Sequence, residues 1–196
     1  MTDRPIIFSG PMVRALLDGR KTQTRRLASS PLAKAKPGDR LYVREEWSTH
    51  PAFDGIAPRD LKRCSMIYTR GDSAWHNHRG WIGAPFGKRR PGMHMPRWAS
   101  RLTLIVEEVR FQRLQEILVT DAAAEGAEKA DRQTDERLSH AHRIDLAGTF
   151  SYLLGFERLW DSLHTKPGET WRDNPEIVAL TFRVVRENID RIGDAT

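Results

Sequence analysis

Residues 19–26, GRKTQTRR, place one lysine and two threonines among three arginines, directly after a glycine. A hydroxyl beside an amine is the raw material of nucleophilic catalysis. A threonine oxygen is inert without a base at hand, and a lysine serves as that base only if its pKa falls from about 10.4 towards roughly 7–8. Arg20, Arg25 and Arg26 act in that direction, because each disfavours a further positive charge nearby, and burial would add to the effect. The same residues also have plainer readings. Thr24 suits a strand position with a satisfied hydroxyl, and Lys21 suits a phosphate-binding or solvent-facing cation.

The rest of the chain is electrically lopsided. Residues 1–106 carry 20 Lys and Arg against 8 Asp and Glu, and residues 107–196 carry 12 against 18, so a net +6 conceals +12 and −6. The stretch 73–106 contains six Arg or Lys, three Trp and three His, and no acid. Cations of that density with flat side chains between them suit a polyanion, the cations on phosphates and the aromatic faces on bases. A solvated basic loop whose tryptophans pack inward fits equally well. No apolar run approaches the roughly 20 residues a bilayer span requires, so no membrane partner is expected. The start, MTDRPIIFSG, lacks the features of an export signal, and a cytoplasmic location is the expectation. One cysteine, Cys64, excludes an internal disulfide and a multi-thiolate zinc site. His76 and His78 with Cys64 or His94 match no zinc spacing, so neither metal nor cofactor is expected.

Positioning these residues falls to a small set of elements. RPIIFS (4–9) reads as a strand, Ser9 as a helix cap, and PMVRALLDG as a short helix stopped at Gly19. The 19–26 segment therefore begins at a helix end and continues into the β-branched alternation of TQTRRL. RLYVREEW (40–47) alternates Leu41, Val43 and Glu45 against Tyr42, Arg44 and Glu46. Residues 48–95, rich in Gly, Pro, His and Trp, read as an insertion or long lid with one strand at CSMIYTR. SRLTLIVEEVRFQRL (100–114) is β-rich, TDAAAEGAE a short helical turn capped by Thr120 or Asp121, and 126–144 a mobile polar segment. An amphipathic helix follows over 145–163, with Leu146, Phe150, Phe156, Trp160 and Leu163 on its apolar face, then a last strand in EIVALTFRVVRE. The expectation is one α+β domain over 1–196, with strands enough to close a small barrel.

The order of motifs, RPIIFSGPMVRALLDGRKTQTRRL, PGDRLYVREEW, MPRWASRLTL, RLQEI with DAAAEG, and FERLWDSLH, resembles the ASCH-domain proteins common in phages and prophages, part of the PUA-like superfamily. The family signature of a glycine, a lysine two residues on and an arginine five further appears as Gly19, Lys21 and Arg26. The resemblance implies a PUA-like small β-barrel with flanking helices, whose cleft faces nucleic acid or a nucleotide. More narrowly, GRKTQTRR resembles the GRKT-x-T-x-R motif of small bacterial amidohydrolases that deacetylate N4-acetylcytidine. That likeness implies a catalytic base at Lys21, a nucleophile at Thr24 and a proton-donating acid at Glu125. This chain is nearly twice their usual length.

Other residues are candidates for the same cleft. Glu45 is the second choice for the acid, or else pairs with an arginine such as Arg26 or Arg97. Arg20, Arg26 and Arg97 are candidates for substrate or nucleic-acid contact, and Trp98 for stacking on a base. Tyr42 and Trp47 are placed between stacking and core, and GKRRPG (87–92) suits a backbone phosphate. Lys21 and Thr24 stand three apart and so point to opposite faces of a regular strand, which predicts an irregular backbone over 20–23. The partner expected is a modified nucleoside or RNA. The leading function is removal of the N-acetyl group from an acylated cytidine, against a non-catalytic RNA or DNA reader and a metal-independent ribonuclease.

Overall fold

The computed structural model describes residues 1–63, 67–69, 76–77, 86–129 and 150–193. Its regular elements are β1 (Asp3–Ile7), α1 (Gly10–Leu17), β2 (Gln23–Leu27), β3 (Arg40–Arg44), β4 (Trp47–Thr49), β5 (Ile67–Thr69), β6 (His76–Asn77), β7 (Thr103–Arg113), α2 (Val119–Ala124), α3 (Phe150–Leu163) and β8 (Glu176–Val185). Five strands form one mixed sheet in the order β1-β3-β7-β8-β2, and β4-β5-β6 form a second. The α+β composition is as the sequence predicts, but the expected barrel is not closed, since β1 and β2 are the two edges of the larger sheet. The residues just before β2 take their outer pairing from the end of α2 instead: Lys21 bridges Glu125, and the Thr22 amide donates to the Ala124 carbonyl at 2.8 Å.

The chain divides into two compact units. Unit 1 comprises Met1–Gly19, Lys36–Glu107 and Phe182–Thr196; unit 2 comprises Arg20–Ala35 and Glu108–Thr181.

In unit 1, β1 runs parallel to β3 from Asp3 opposite Arg40 to Ile7 opposite Arg44. Pro11 lies in the first turn of α1, which buries Val13, Ala15 and Leu16. Gly19 then turns the chain at a φ of +73°, a left-handed value that costs glycine nothing. Within RLYVREEW the regular strand covers Arg40–Arg44. Leu41, Tyr42 and Val43 are all buried, and the strand breaks at Glu45 and Glu46 before β4. The segment 48–95 contributes the second sheet, and Trp47, Leu61, Ile67, Met95 and Ala99 form a core there, with Phe53 and Trp98 packed against it. The strand expected in CSMIYTR is present as β5, whereas Cys64 and His78 lie outside the described residues.

In unit 2, β2 pairs antiparallel with β8 from Gln23 opposite Thr181 to Leu27 opposite Ile177. Leu114, Ile117, Ala122, Ala127, Phe156, Trp160, Ile177 and Ala179 make its core. Two turns of α3 present Phe156 and Trp160 to it at helical spacing. Phe156 meets Trp171 edge-on with centroids 6.2 Å apart, and the Trp160 indole N–H donates to the Glu169 carbonyl at 2.8 Å. Leu163, assigned to the apolar face by the periodicity, is exposed at the last position of the helix, and Leu146 falls outside the described residues. Of the polar segment 126–144 only 126–129 is described, and Ala127 there belongs to the core.

Trp160 is a stringent check on this packing. Trp160→Ala removes the largest side chain of the unit 2 core and strands the Glu169 carbonyl. It is expected to cost about 3–5 kcal/mol, read as a lower midpoint in urea unfolding. A loss under about 1 kcal/mol would contradict the packing described.

Candidate active site

The site in unit 2 is built on a short strand and the end of a short helix. Lys21, Thr24, Arg25 and Glu125 are each buried to 4% exposure or less. β2 begins only at Gln23, so Lys21 stands ahead of the regular strand, where the alternation of faces does not bind it. On β2 itself, Gln23 and Arg25 share one face and Thr24 and Arg26 the other.

Glu125 closes α2 as its C-terminal cap, and Gly126 follows at a φ of +72°. Its carboxylate receives a donor on each oxygen: Lys21 Nζ on Oε2 at 2.8 Å and Arg25 Nη1 on Oε1 at 3.0 Å. Lys21 Nζ also donates to the Gln23 carbonyl at 2.7 Å and the Glu125 carbonyl at 2.8 Å. Burial lowers the Lys21 pKa below its ordinary value, and the positive charges of Arg26 and Arg25 act the same way; the charge and hydrogen bond of Glu125 oppose them.

The Thr24 hydroxyl takes a different partner. It accepts from Arg26 Nη1 at 2.8 Å, and Arg26 Nη1 also donates to the Arg25 carbonyl at 2.8 Å. The hydroxyl is thus held by Arg26 and the amine by Glu125 and the Gln23 carbonyl.

Two further residues belong to the site that the motifs do not name in this role. Arg25 Nη2 donates to Asp121 Oδ2 at 2.8 Å, and Arg110 Nη2 approaches the same oxygen at 3.3 Å. Arg25 Nη1 also donates to Gln23 Oε1 at 3.2 Å, and its guanidinium lies 6.0 Å from the Phe156 ring centre. The signal for Asp121 was present in TDAAAEG: it stands four residues before Glu125, hence on the same helical face. The same segment also reads as a helical turn capped by Thr120 or Asp121. The residue at the cap is Leu118, which leaves Asp121 in the first turn facing Arg25.

The remaining candidates lie in unit 1, except Arg20, which is exposed in unit 2. Glu45 is held in a two-pronged contact by Arg101, Nε on Oε1 at 2.8 Å and Nη2 on Oε2 at 3.0 Å. Arg97 donates to Asp3 at 2.5 Å and to Asp190 at 2.7 Å. Tyr42 is flanked by the guanidiniums of Arg44 and Arg97, 5.3 and 5.6 Å from its ring centre. Trp98 is half-buried against the Trp47 core, and Trp47 is wholly interior. Within GKRRPG, Arg90 is buried and donates to the carbonyls of Phe53 and Ile56 at 2.9 and 3.0 Å, while Arg89 pairs with Glu46. Among the described residues no cluster of His, Cys, Asp and Glu is arranged to hold a metal ion, and no helix is long and apolar enough to cross a membrane.

No family model and no curated protein matches the chain. Among solved structures, a high-resolution crystal structure of an ASCH domain from Lactobacillus crispatus JV V101 is similar, at 13% identity with a TM-score of 0.38 over 93% of this chain and 79% of that one.

Two outcomes test the electrostatics. Between the depressed Lys21 pKa and 10.5, the unfolded chain binds a proton that the folded one does not, so stability rises with pH across that window. The unfolding free energy of the native protein, measured relative to Lys21→Met, is expected to grow as the pH climbs towards 10.5; a flat or falling difference contradicts the lowered amine. Arg25→Met leaves two buried carboxylates short of a donor and is expected to cost about 3–5 kcal/mol. Adding Asp121→Asn to it should restore part of that loss in a double-mutant cycle.

Proposed function

We propose that this chain is an ASCH-type amidohydrolase that removes the N-acetyl group from N4-acetylcytidine or a related acylated pyrimidine nucleoside. The observation that carries the reading is the buried contact between Lys21 and Glu125, 104 residues apart in sequence and 2.8 Å apart in space. Those are the base and acid named by the resemblance of GRKTQTRR and DAAAEG, and they meet in a setting that lowers the basic group's pKa.

The chemistry then runs as follows. Lys21, as the free amine, takes the Thr24 proton while Thr24 Oγ1 bonds to the acyl carbon. Arg26, already donating to that hydroxyl, stabilises the alkoxide as it develops. The proton gained by Lys21 passes to Glu125 across their hydrogen bond, and Glu125 delivers it to the cytidine nitrogen as the C–N bond breaks. Water then hydrolyses the threonyl ester, releasing acetate and restoring the hydroxyl. The hydroxyl and amine must approach one another in the substrate complex, since catalytic hydrogen bonds commonly tighten there. No step calls for a cofactor.

A second reading draws on the Thr24 hydroxyl, which is fully buried and occupied by Arg26. That suits a strand threonine in a non-catalytic RNA or DNA reader, with Lys21–Glu125 as a structural ion pair.

Purified protein incubated with N4-acetylcytidine is expected to release cytidine and acetate. Lys21→Ala and Thr24→Val should each lower turnover by at least about 100-fold while the fold is kept, as for loss of a general base or nucleophile. Absence of turnover together with salt-dependent RNA binding would replace the hydrolase by the reader. Shortening of RNA in the presence of a chelator would replace it by the ribonuclease.

A further inference from the structure

Unpaired strand edges attract further strands, because their outward N–H and C=O groups still need partners. The outer edge of β2 meets that need within the chain. Lys21 Nζ donates to the Gln23 carbonyl at 2.7 Å, Arg26 Nη1 to the Arg25 carbonyl at 2.8 Å, and the Ser30 amide to the Leu27 carbonyl at 2.8 Å. On β1, the bonds from the Arg40 amide to Thr2 and from the Phe8 amide to Arg44 turn even-numbered residues towards β3. Pro5 therefore faces outward, where it has no N–H to offer.

The far half of β7 is different. β3 is in register with Thr103–Ile105, the Val106 amide still reaches the Asp39 carbonyl at 2.9 Å, and among the described residues no strand flanks Glu108–Gln112 on that side. The direction of its backbone groups follows from β8. The Ala28 amide donates to the Glu176 carbonyl and the Leu114 amide to the Pro175 carbonyl, each at 3.0 Å, so odd-numbered residues of β8 turn to β7 and meet even-numbered residues there. Val109 and Phe111 consequently present their backbone groups outward. The Arg113 amide, turned the same way, is taken by the Glu116 carboxylate at 3.0 Å, which ends the open stretch. Phe111 is 63% exposed, and neither Pro nor Gly interrupts the segment.

This segment is complementary to itself. Two antiparallel copies join only with outward-facing residues opposite one another. Centring the pair on Arg110 sets Val109 opposite Phe111 of the second copy and Phe111 opposite its Val109, each pair exchanging its backbone hydrogen bonds and giving the ring an apolar neighbour. On the other face, Glu108 lies across from Gln112 of the second copy and diagonal to its Arg110, acid beside base. Arg110 meets its own counterpart, but its charge is already answered by Glu108 at 3.6 Å and Asp121 at 3.3 Å.

We propose that the Glu108–Gln112 edge of β7 is a homodimer interface, at which a second copy of this chain adds its own β7 antiparallel and joins the two sheets into one. The contact makes no use of the hydrolase chemistry.

Sedimentation equilibrium of the full chain from about 1 μM to 1 mM, the range suited to a small transient interface, tests it. The apparent mass is expected to rise from monomer to dimer, and amide exchange at Val109 and Phe111 to slow in step with the dimer fraction. Val109→Pro removes an N–H that no bond to β8 uses, and Phe111→Glu puts a charge where the ring is covered. Each should weaken association at least about tenfold. Should Val109→Pro fail to fold, Phe111→Glu and the exchange rates decide. Leu163→Glu, which charges an equally exposed apolar residue at the end of α3, should leave the dimer intact. A monomer at every concentration, a dimer that survives Phe111→Glu, a dimer lost as fully in Leu163→Glu, or exchange at Val109 and Phe111 indifferent to concentration overturns the proposal.

Discussion

Unit 2 depends on one carboxylate being held by two cations away from water. Glu125 is at the end of a helix of only six residues, and neither that helix nor the five-residue strand β2 has much to hold it in register alone. Lys21 and Arg25 on its two oxygens, together with the backbone bond from Thr22 to Ala124, fix the helix end against the segment leading into β2. Arg25 extends the arrangement one helical turn back to Asp121. Burying such charges is expensive, and a hydrophobic replacement of the same shape would often be at least as stable. What the ionic arrangement supplies is position: slip β2 by one residue and Arg25 leaves the face on which both carboxylates wait.

The pieces of this arrangement were unequally legible in the sequence. Lys21 and Glu125 could be named because ordered motifs surround each, and the irregular start of β2 followed from the spacing of Lys21 to Thr24. Asp121 and Arg25 were visible as residues but not as partners. The pairing across 96 residues carries no local periodicity, and the cap reading of Asp121 was locally just as good. The β3 strand is a different case. Alternation in RLYVREEW separates Leu41 and Val43 from Tyr42 and Arg44 without saying which side is covered, and the strand buries Leu41, Tyr42 and Val43 in succession. Sequence alternation reports one covered face, and an interior strand covered on both has no reason to obey it.

Charge counting meets a related limit in unit 1. The acid-free run 73–106 looks like a surface for a polyanion because its own sequence contains nothing to neutralise it. Three-dimensional pairing supplies what the run lacks: Arg97 goes to Asp3 and Asp190, Arg101 to Glu45, Arg89 to Glu46, and Arg90 to backbone carbonyls. The partners come from segments on either side of the run. Formal charge therefore overstates the field that a ligand meets, and the argument for anion binding has to be made cation by cation.

Lys21 is subject to two opposing sets of influences at one amine. Three oxygens around Nζ at 2.7–2.8 Å match the three N–H bonds of an ammonium, which favours the charged form. Burial, Arg26 and Arg25 favour the neutral amine, and they prevail over Glu125. A lysine with only the first set would be an ion-pair member unable to accept a proton, and one with only the second would be a neutral amine with nothing to orient it. Held by both, the group keeps its place while burial and the neighbouring arginines make its proton easier to lose.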